Sequence, residues 1–417
     1  MASCTNGQER QEIALPKLGL TLPKPNRWRT YFLAFVVSDF GSEFTRIALI
    51  AKGYTLGGRS VSGAAMVALA QAAPLVIAAP LSGRLADRGL GKRLAIMADV
   101  GRFGSLIAVA LANSRAVLLL AAAVSAVLGS VFRPAEARWE TSLLESEADL
   151  LTAGGARAAL RSTLSILGPI LAGIVVGTVG PTRAIVFDSL TFLVSAALLS
   201  QVPGFRPSAD SMDEPPDSAR VSTWSVVLSD FSLRALFIIF AVVVLITSMQ
   251  GPLLYVLFVG DGSSTKSFGF AMASLGFGSL FGAIIINRVP ALIEDGPRAL
   301  VAVLFIDASA LALLSRSRIL PLSYVAMFSM GLIASVFGVV IRFSLQKERY
   351  RSHVGSLFGG IEAIEGPCGA VSLLILATAL THVKVVDILL GSAVAELMAG
   401  AAMLLALFRY RGARHST

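Results

Sequence analysis

Long apolar runs, each close to the length of a membrane span, recur along this 417-residue chain, separated by short segments rich in arginine and glycine. No other feature constrains the fold as strongly. A bilayer core about 30 Å thick takes roughly 20 apolar residues per helix. The backbone inside it must bond within its own segment or in a closed barrel. Twelve spans are predicted, near 29–50, 61–82, 94–114, 116–135, 160–180 and 184–202, then 232–259, 267–288, 299–316, 319–341, 354–380 and 383–408. Charged residues make up 15% of the chain and hydrophobic ones 55%. A soluble domain carries about 25% charge, so a water-soluble enzyme and a disordered chain are both excluded. The fold class expected is an all-α integral membrane protein of two six-helix halves.

The basic residues sit between the runs and orient them. With both termini inside, inner segments hold 25 lysines and arginines and outer loops hold eight, Lys52 among them. That asymmetry places both ends in the cytoplasm. It also explains the net charge of +9 without nucleic acid as a partner. The expected organisation is a cytoplasmic tail over 1–28, a first half over 29–202, a linker over 203–229, a second half over 230–408 and a tail over 409–417. Four prolines and four acids between 203 and 223 make the linker read as flexible and solvated.

The halves repeat weakly but in order. Gly129 to Arg133 matches Gly338 to Arg342, Gly168-Pro169 matches Gly366-Pro367, and Asp188 matches Asp387, at offsets of 209, 198 and 199 residues. Internal duplication of this kind is a secondary-transporter architecture, with substrate between the halves near the midplane.

One loop is distinctive: Gly83-Arg-Leu-Ala-Asp87-Arg88-Gly-Leu-Gly91-Lys92-Arg93. Its glycines suit a tight turn. Asp87 suits a facing helix N-terminus, and Arg88, Lys92 and Arg93 anchor the loop on the basic side. The loop resembles the signature loop of the major facilitator superfamily, and the chain over about 26–408 resembles the branch of the enterobactin exporter and macrolide efflux proteins. Supporting stretches are Asn26 to Gly41, Ala98-Asp99 with Arg102, and Phe132 to Ala135 followed by Gly168-Pro169. The resemblance implies a monomeric exporter of an amphipathic small molecule, coupled to the proton gradient, with the signature loop as a gate. An importer or lysolipid transporter on the same fold is the alternative. A membrane-embedded enzyme is a third reading, and no His-Asp or metal-ligand cluster in the sequence supports it.

Coupling residues have to be argued locally, because Glu43, Glu362 and Glu365 are unusual for that branch. Asp39, Glu43 and Arg46 share one face of the first helix. An ionised group at that depth costs roughly 2.5–3.5 kcal/mol, so the three should face a cavity or one another. Arg46 lies one turn from Glu43, which makes Glu43 the ion-pair member and Asp39 the freer proton carrier; a purely structural cluster is the competing reading. Glu362 and Glu365 precede Gly366-Pro367, where proline frees a carbonyl, so a substrate or proton site and a contact to basic residues such as Arg342 stand level. Arg133 and Arg342 read as a charge network at the cytoplasmic gate. Asp99 and Arg102 read as braces for the signature loop, Asp188, Asp307 and Asp387 as caps or network members, and Glu396 as an isolated acid. Gly168-Pro169 reads as a bending and packing element. No P-loop occurs, so no nucleotide cofactor is expected; no metal-ligand spacing occurs either. Arginine outnumbers lysine 28 to 7, a GC-rich bias, so a bacterial plasma membrane is the expected location.

Overall fold

The computed structural model describes residues 26–86, 91–141, 143–144, 147–204, 223–260, 265–288, 296–317, 319–346, 354–380 and 382–415. Among them the secondary structure is all helical. The first six helices are α1 (Asn26–Leu56), α2 (Val61–Ala86), α3 (Gly91–Leu111), α4 (Arg115–Thr141), α5 (Glu147–Val179) and α6 (Pro181–Gln201). A short α7 (Thr223–Ser229) leads into α8 (Phe231–Val259), α9 (Thr265–Arg288), α10 (Gly296–Arg316), α11 (Leu320–Leu345), α12 (Val354–Thr378) and α13 (Val385–His415).

Ten of these, α2, α3, α4, α6 and α8 to α13, are long and apolar enough to cross a bilayer. That is two fewer than the runs counted in the sequence, and the reason is local. Helix α1 carries Asp39, Glu43, Arg46 and Lys52 within its length. In α5 the apolar stretch shrinks to Leu167–Val179. Both helices nevertheless pack among the others: α1 lies against α6, α5 and α2, and α5 lies against α1 and α9. Glu43 and Lys52 are thereby turned towards protein rather than lipid, while Arg46 stays exposed.

Local chemistry sets the helix ends. Gly180 takes φ 88° and Pro181 starts α6 with its ring already in helical geometry. Asp230 caps α8 by accepting from the Ser232 amide at 2.8 Å. The α1–α2 turn uses Gly58 and Arg59 at positive φ, and Arg115 of α4 donates to the Gly57 carbonyl at 3.0 Å. Lys52, counted with the outer loops, is a buried residue of α1 whose ammonium donates to the Ala110 carbonyl near the end of α3. The linker expected over 203–229 is helical over its last seven residues, because Val227 is buried and Trp224 meets Phe237 edge-on.

Three buried apolar clusters organise the bundle. One joins both halves at the face opposite the chain termini, with Phe44, Tyr54, Val67 and Val176 meeting Leu253, Tyr255, Phe268 and Leu376. The other two lie at the terminal face and each stays within one half. Trp28, Ala98, Trp139 and Leu199 belong to the first; Leu233, Ile286, Leu300, Leu345 and Met403 belong to the second. The molecule is therefore sealed at the face opposite the termini.

Candidate functional site

The seal is built from close contacts across the halves. Ser62 of α2 donates to the Ala377 carbonyl of α12 at 2.9 Å. Tyr54 of α1 meets Tyr255 of α8 edge-on, with ring centroids 5.6 Å apart. Gly173 of α5 lies backbone to backbone on Gly269 of α9, so that a β-carbon on Gly173 would stand 2.6 Å from the Gly269 Cα. Small residues permit this approach, which any side chain would prevent.

On the N-terminal side the polar residues of α1, α3 and α6 converge. Glu43 and Arg46 form the pair that their spacing predicts, at 2.8 Å, with the glutamate side chain 12% exposed and the arginine 66%. The glutamate stem rests on Gly168 of α5, where a β-carbon would come within 2.6 Å of its Cγ. Gly168 thus makes room for an acid, a role that the glycine–proline pattern alone does not reveal. Asp39 lies close enough to Glu43 for their charges to interact.

Asp99 and Arg102, expected as braces for the signature loop, stand inside the bundle. Helix α3 turns them inward, against α1 and α6. Asp99 is fully buried beside Ser195, and neither of its carboxylate oxygens has a hydrogen-bond partner. Arg102 donates to Ser42 Oγ at 3.3 Å and stacks on Phe192, 3.7 Å from the ring centroid. Asp188 is not a cap; it lies two turns inside α6, fully buried. It accepts from Thr191 at 3.1 Å and faces Thr45 and Arg102. Two buried aspartates therefore share one guanidinium. Asp99 and Arg102 are one turn apart on α3, which their spacing shows; Asp188 stands on α6, and only packing brings it to them, so spacing along the chain could not add it.

Of the signature loop, Asp87 and Arg88 lie outside the described residues. Gly83 and Gly91, expected in the turn, are helical instead, as α2 continues to Ala86 and α3 begins at Gly91. Lys92 donates to the carbonyls of Ser200 and Val202, at 2.8 and 2.5 Å, at the C-terminus of α6. A cation is favoured there by the helix dipole. Arg93 is exposed.

Of the gate network expected at Arg133 and Arg342, the Arg133 side chain lies outside the described residues, and Arg342 is exposed at the last turn of α11. A different network occupies the terminal face of the first half. Glu140 of α4 accepts from Trp28 Nε1 at 3.0 Å and pairs with Arg157 of α5, whose guanidinium lies 4.6 Å from the Phe35 ring centroid. Trp139 Nε1 donates to the Pro203 carbonyl at 2.9 Å.

In the second half Glu362 and Glu365 are exposed on α12, with Pro367 inside the helix. Asp387 is exposed in the first turn of α13. Asp307 is not at a helix end but midway along α10, and Glu396 is not isolated; the two carboxyls face each other. Among the described residues no group of His, Cys, Asp and Glu is arranged to hold a metal ion.

Residues 31–372 match the Major Facilitator Superfamily. The chain belongs to that superfamily. It is thus a multi-pass membrane protein and a secondary transporter of small molecules, not an enzyme. Solved members share the architecture at low sequence identity. The nucleoside transporter NupG aligns with a TM-score of 0.71 at 14% identity, over 92% of this chain and 100% of its own. A mutant of the peptide transporter POT in complex with sulfate gives 0.69 at 13%, over 92% and 95%. The human organic anion transporter MFSD10 gives 0.58 at 16%, over 91% and 100%. These likenesses define the fold. No curated protein matches the chain significantly.

Proposed function

We propose that this transporter is a proton-coupled exporter of an amphipathic small molecule, such as an antibiotic, siderophore or secondary metabolite, working by alternating access as a monomer in a bacterial plasma membrane. The observation that carries the reading is the surplus of buried acid in the first half. Among the described residues Arg102 is the one cation that acts on both Asp99 and Asp188, while Glu43 pairs with Arg46. With both aspartates ionised the cluster holds an uncompensated negative charge in a dry interior, and binding a proton removes it. The cluster reaches α5 through Glu43 and Gly168, and α5 is the helix that meets α9 across the seal. A proton bound there is thus mechanically connected to the contact that holds the halves together.

Asp39, Glu362 and Glu365 complete the proposed site. Two exposed glutamates on a membrane helix belong on the aqueous gap between the halves, since facing lipid would cost several kcal/mol. There they suit a substrate carrying positive charge. With both termini in the cytoplasm, the sealed face is the outer one and the gap opens inward, ready to load a compound for export. Asp87 and its loop hold the terminal face closed in the opposite state.

The test uses inside-out vesicles with an imposed pH gradient, a panel of amphipathic cations and a pH-sensitive dye. Compound-induced proton release is expected in the wild type. It should be lost in Asp99→Asn or Asp188→Asn and reduced in Asp39→Asn and Glu362→Gln. Asp87→Asn should fold normally and export poorly. Compound movement without proton movement, or unchanged coupling in all the neutralised variants, would overturn the reading. Proton-driven uptake into right-side-out vesicles would instead show import.

A further inference from the structure

The second half contains an acid pair that the transport reading does not use. Asp307 lies in the middle of the α10 span and Glu396 in the α13 span, and α10 packs on α13. Glu396 is fully buried, and neither of its carboxylate oxygens has a hydrogen-bond donor. The charged neighbour of each carboxyl among the described residues is the other. Among the described residues the helices packed against them offer no compensation. Arg234 of α8, Arg298 and Arg316 of α10, Arg342 of α11 and Asp387 of α13 all stand at or near helix ends. Arg298 and Arg316 are each nine residues from Asp307, about 13 Å along the helix. The tyrosines Tyr255 and Tyr324 lie near the sealed ends of α8 and α11.

Comparison of the halves shows what is missing. In the first half Asp99 of α3 stands beside Ser195 of α6, and Arg102 follows one turn later. In the second half the same helix pair recurs as α10 and α13. The residue three after Asp307 is Ala310, not a cation, and the facing group is an acid. The second half thus has no cation one turn after its aspartate, and a second carboxyl stands where the first half has a serine.

We infer that Asp307 and Glu396 form a proton-binding site in which the two carboxyls share one proton. Two like charges buried against each other cannot both persist without a counter-ion, and one shared proton leaves a single negative charge spread over both groups. The site lies on α10 and α13, which pack on each other, on α8 and on α11 rather than on the first half. Substrate between the halves does not touch it directly, so any exchange between proton and substrate passes through α8 or α11. That consequence rests on the proton-coupled reading; the binding of the proton does not.

The experiment uses the full chain in lipid nanodiscs, without substrate or gradient. Unfolding midpoints are followed across pH for the wild type, Asp307→Asn, Glu396→Gln and the double variant. The wild type should lose stability on the alkaline side as the shared proton leaves, and the double variant should lack that component. Infrared spectra should show the protonated-carboxyl C=O band falling by one group's intensity in the double variant; in either single variant the remaining carboxyl holds the proton alone and the band should shift in frequency, which serves if the double variant does not fold. Identical pH profiles and an unchanged band would overturn the assignment. So would stabilisation of the wild type by sodium at fixed pH that the double variant lacks, because the ligand would then be a metal cation. Loss of proton antiport with the band intact would refute the export reading alone.

Discussion

Gly173→Ala isolates the seal from every other feature of the transporter. Its new β-carbon would stand 2.6 Å from the Gly269 Cα and 3.0 Å from the Gly269 carbonyl oxygen. Unstrained carbon contacts lie at about 3.5–4.0 Å, so α5 and α9 must part by roughly 1 Å. The obstacle is backbone, which cannot swing aside as a side chain would. Overpacking of this kind costs about 1–3 kcal/mol. The cost falls only on the sealed state, whereas the gain in helix propensity from glycine to alanine applies to both states and cancels. The equilibrium should therefore move roughly 5- to 150-fold towards the state open at the face opposite the termini. Spin-label distances in nanodiscs measure it, with Cys4 and Cys368 replaced by serine. Labels at the exposed Arg59 and His382 report on the sealed face, and labels at Arg93 and Arg342 report on the terminal face. The first distance should lengthen and the second shorten. Gly154→Ala on the same helix is the control, since a β-carbon there meets nothing within 4 Å. Distance distributions in Gly173→Ala that match the wild type would refute the claim that this contact holds the seal.

Other consequences follow from contacts described above. Gly168→Ala puts a β-carbon 2.6 Å from the Glu43 Cγ, and the flexible glutamate gives way. Transport should fall while the unfolding midpoint drops little, and the added Glu43→Ala change should recover that midpoint without recovering transport. Lys92→Met removes two charge-assisted bonds from the end of α6 and should cost about 1–3 kcal/mol in denaturant unfolding, partly recovered by Lys92→Arg. Glu140→Ala leaves Arg157 without its carboxylate in a largely buried setting and should cost about 3–5 kcal/mol; Glu140→Met with Arg157→Met should be milder than either single loss, as a double-mutant cycle would show.

The reading of the chain as a helical bundle of two repeats rests on local properties, and these were legible without coordinates. Apolar run length, arginine placement and the Gly168-Pro169 and Gly366-Pro367 echoes depend on neighbours in sequence. So does the Glu43–Arg46 pair, because helical periodicity alone puts both on one face. Length and composition alone do not mark α1 and α5 as spans, because charge in one and a short apolar stretch in the other make these helices depend on their neighbours.

Other groupings were invisible because they join residues far apart in the chain. Asp99 read as a brace, Asp188 and Asp307 as caps or network members, and Glu396 as an isolated acid. Each is on a different helix, and only the packing of α3 on α6 and of α10 on α13 brings them together. The sequence determined which segments are helices able to enter a bilayer, since that follows from the hydrogen-bonding needs of a single backbone in hydrocarbon. Only the tertiary structure decided which acids share a charge and where the halves touch, because both depend on distances between helices and fall off too steeply for spacing along the chain to encode.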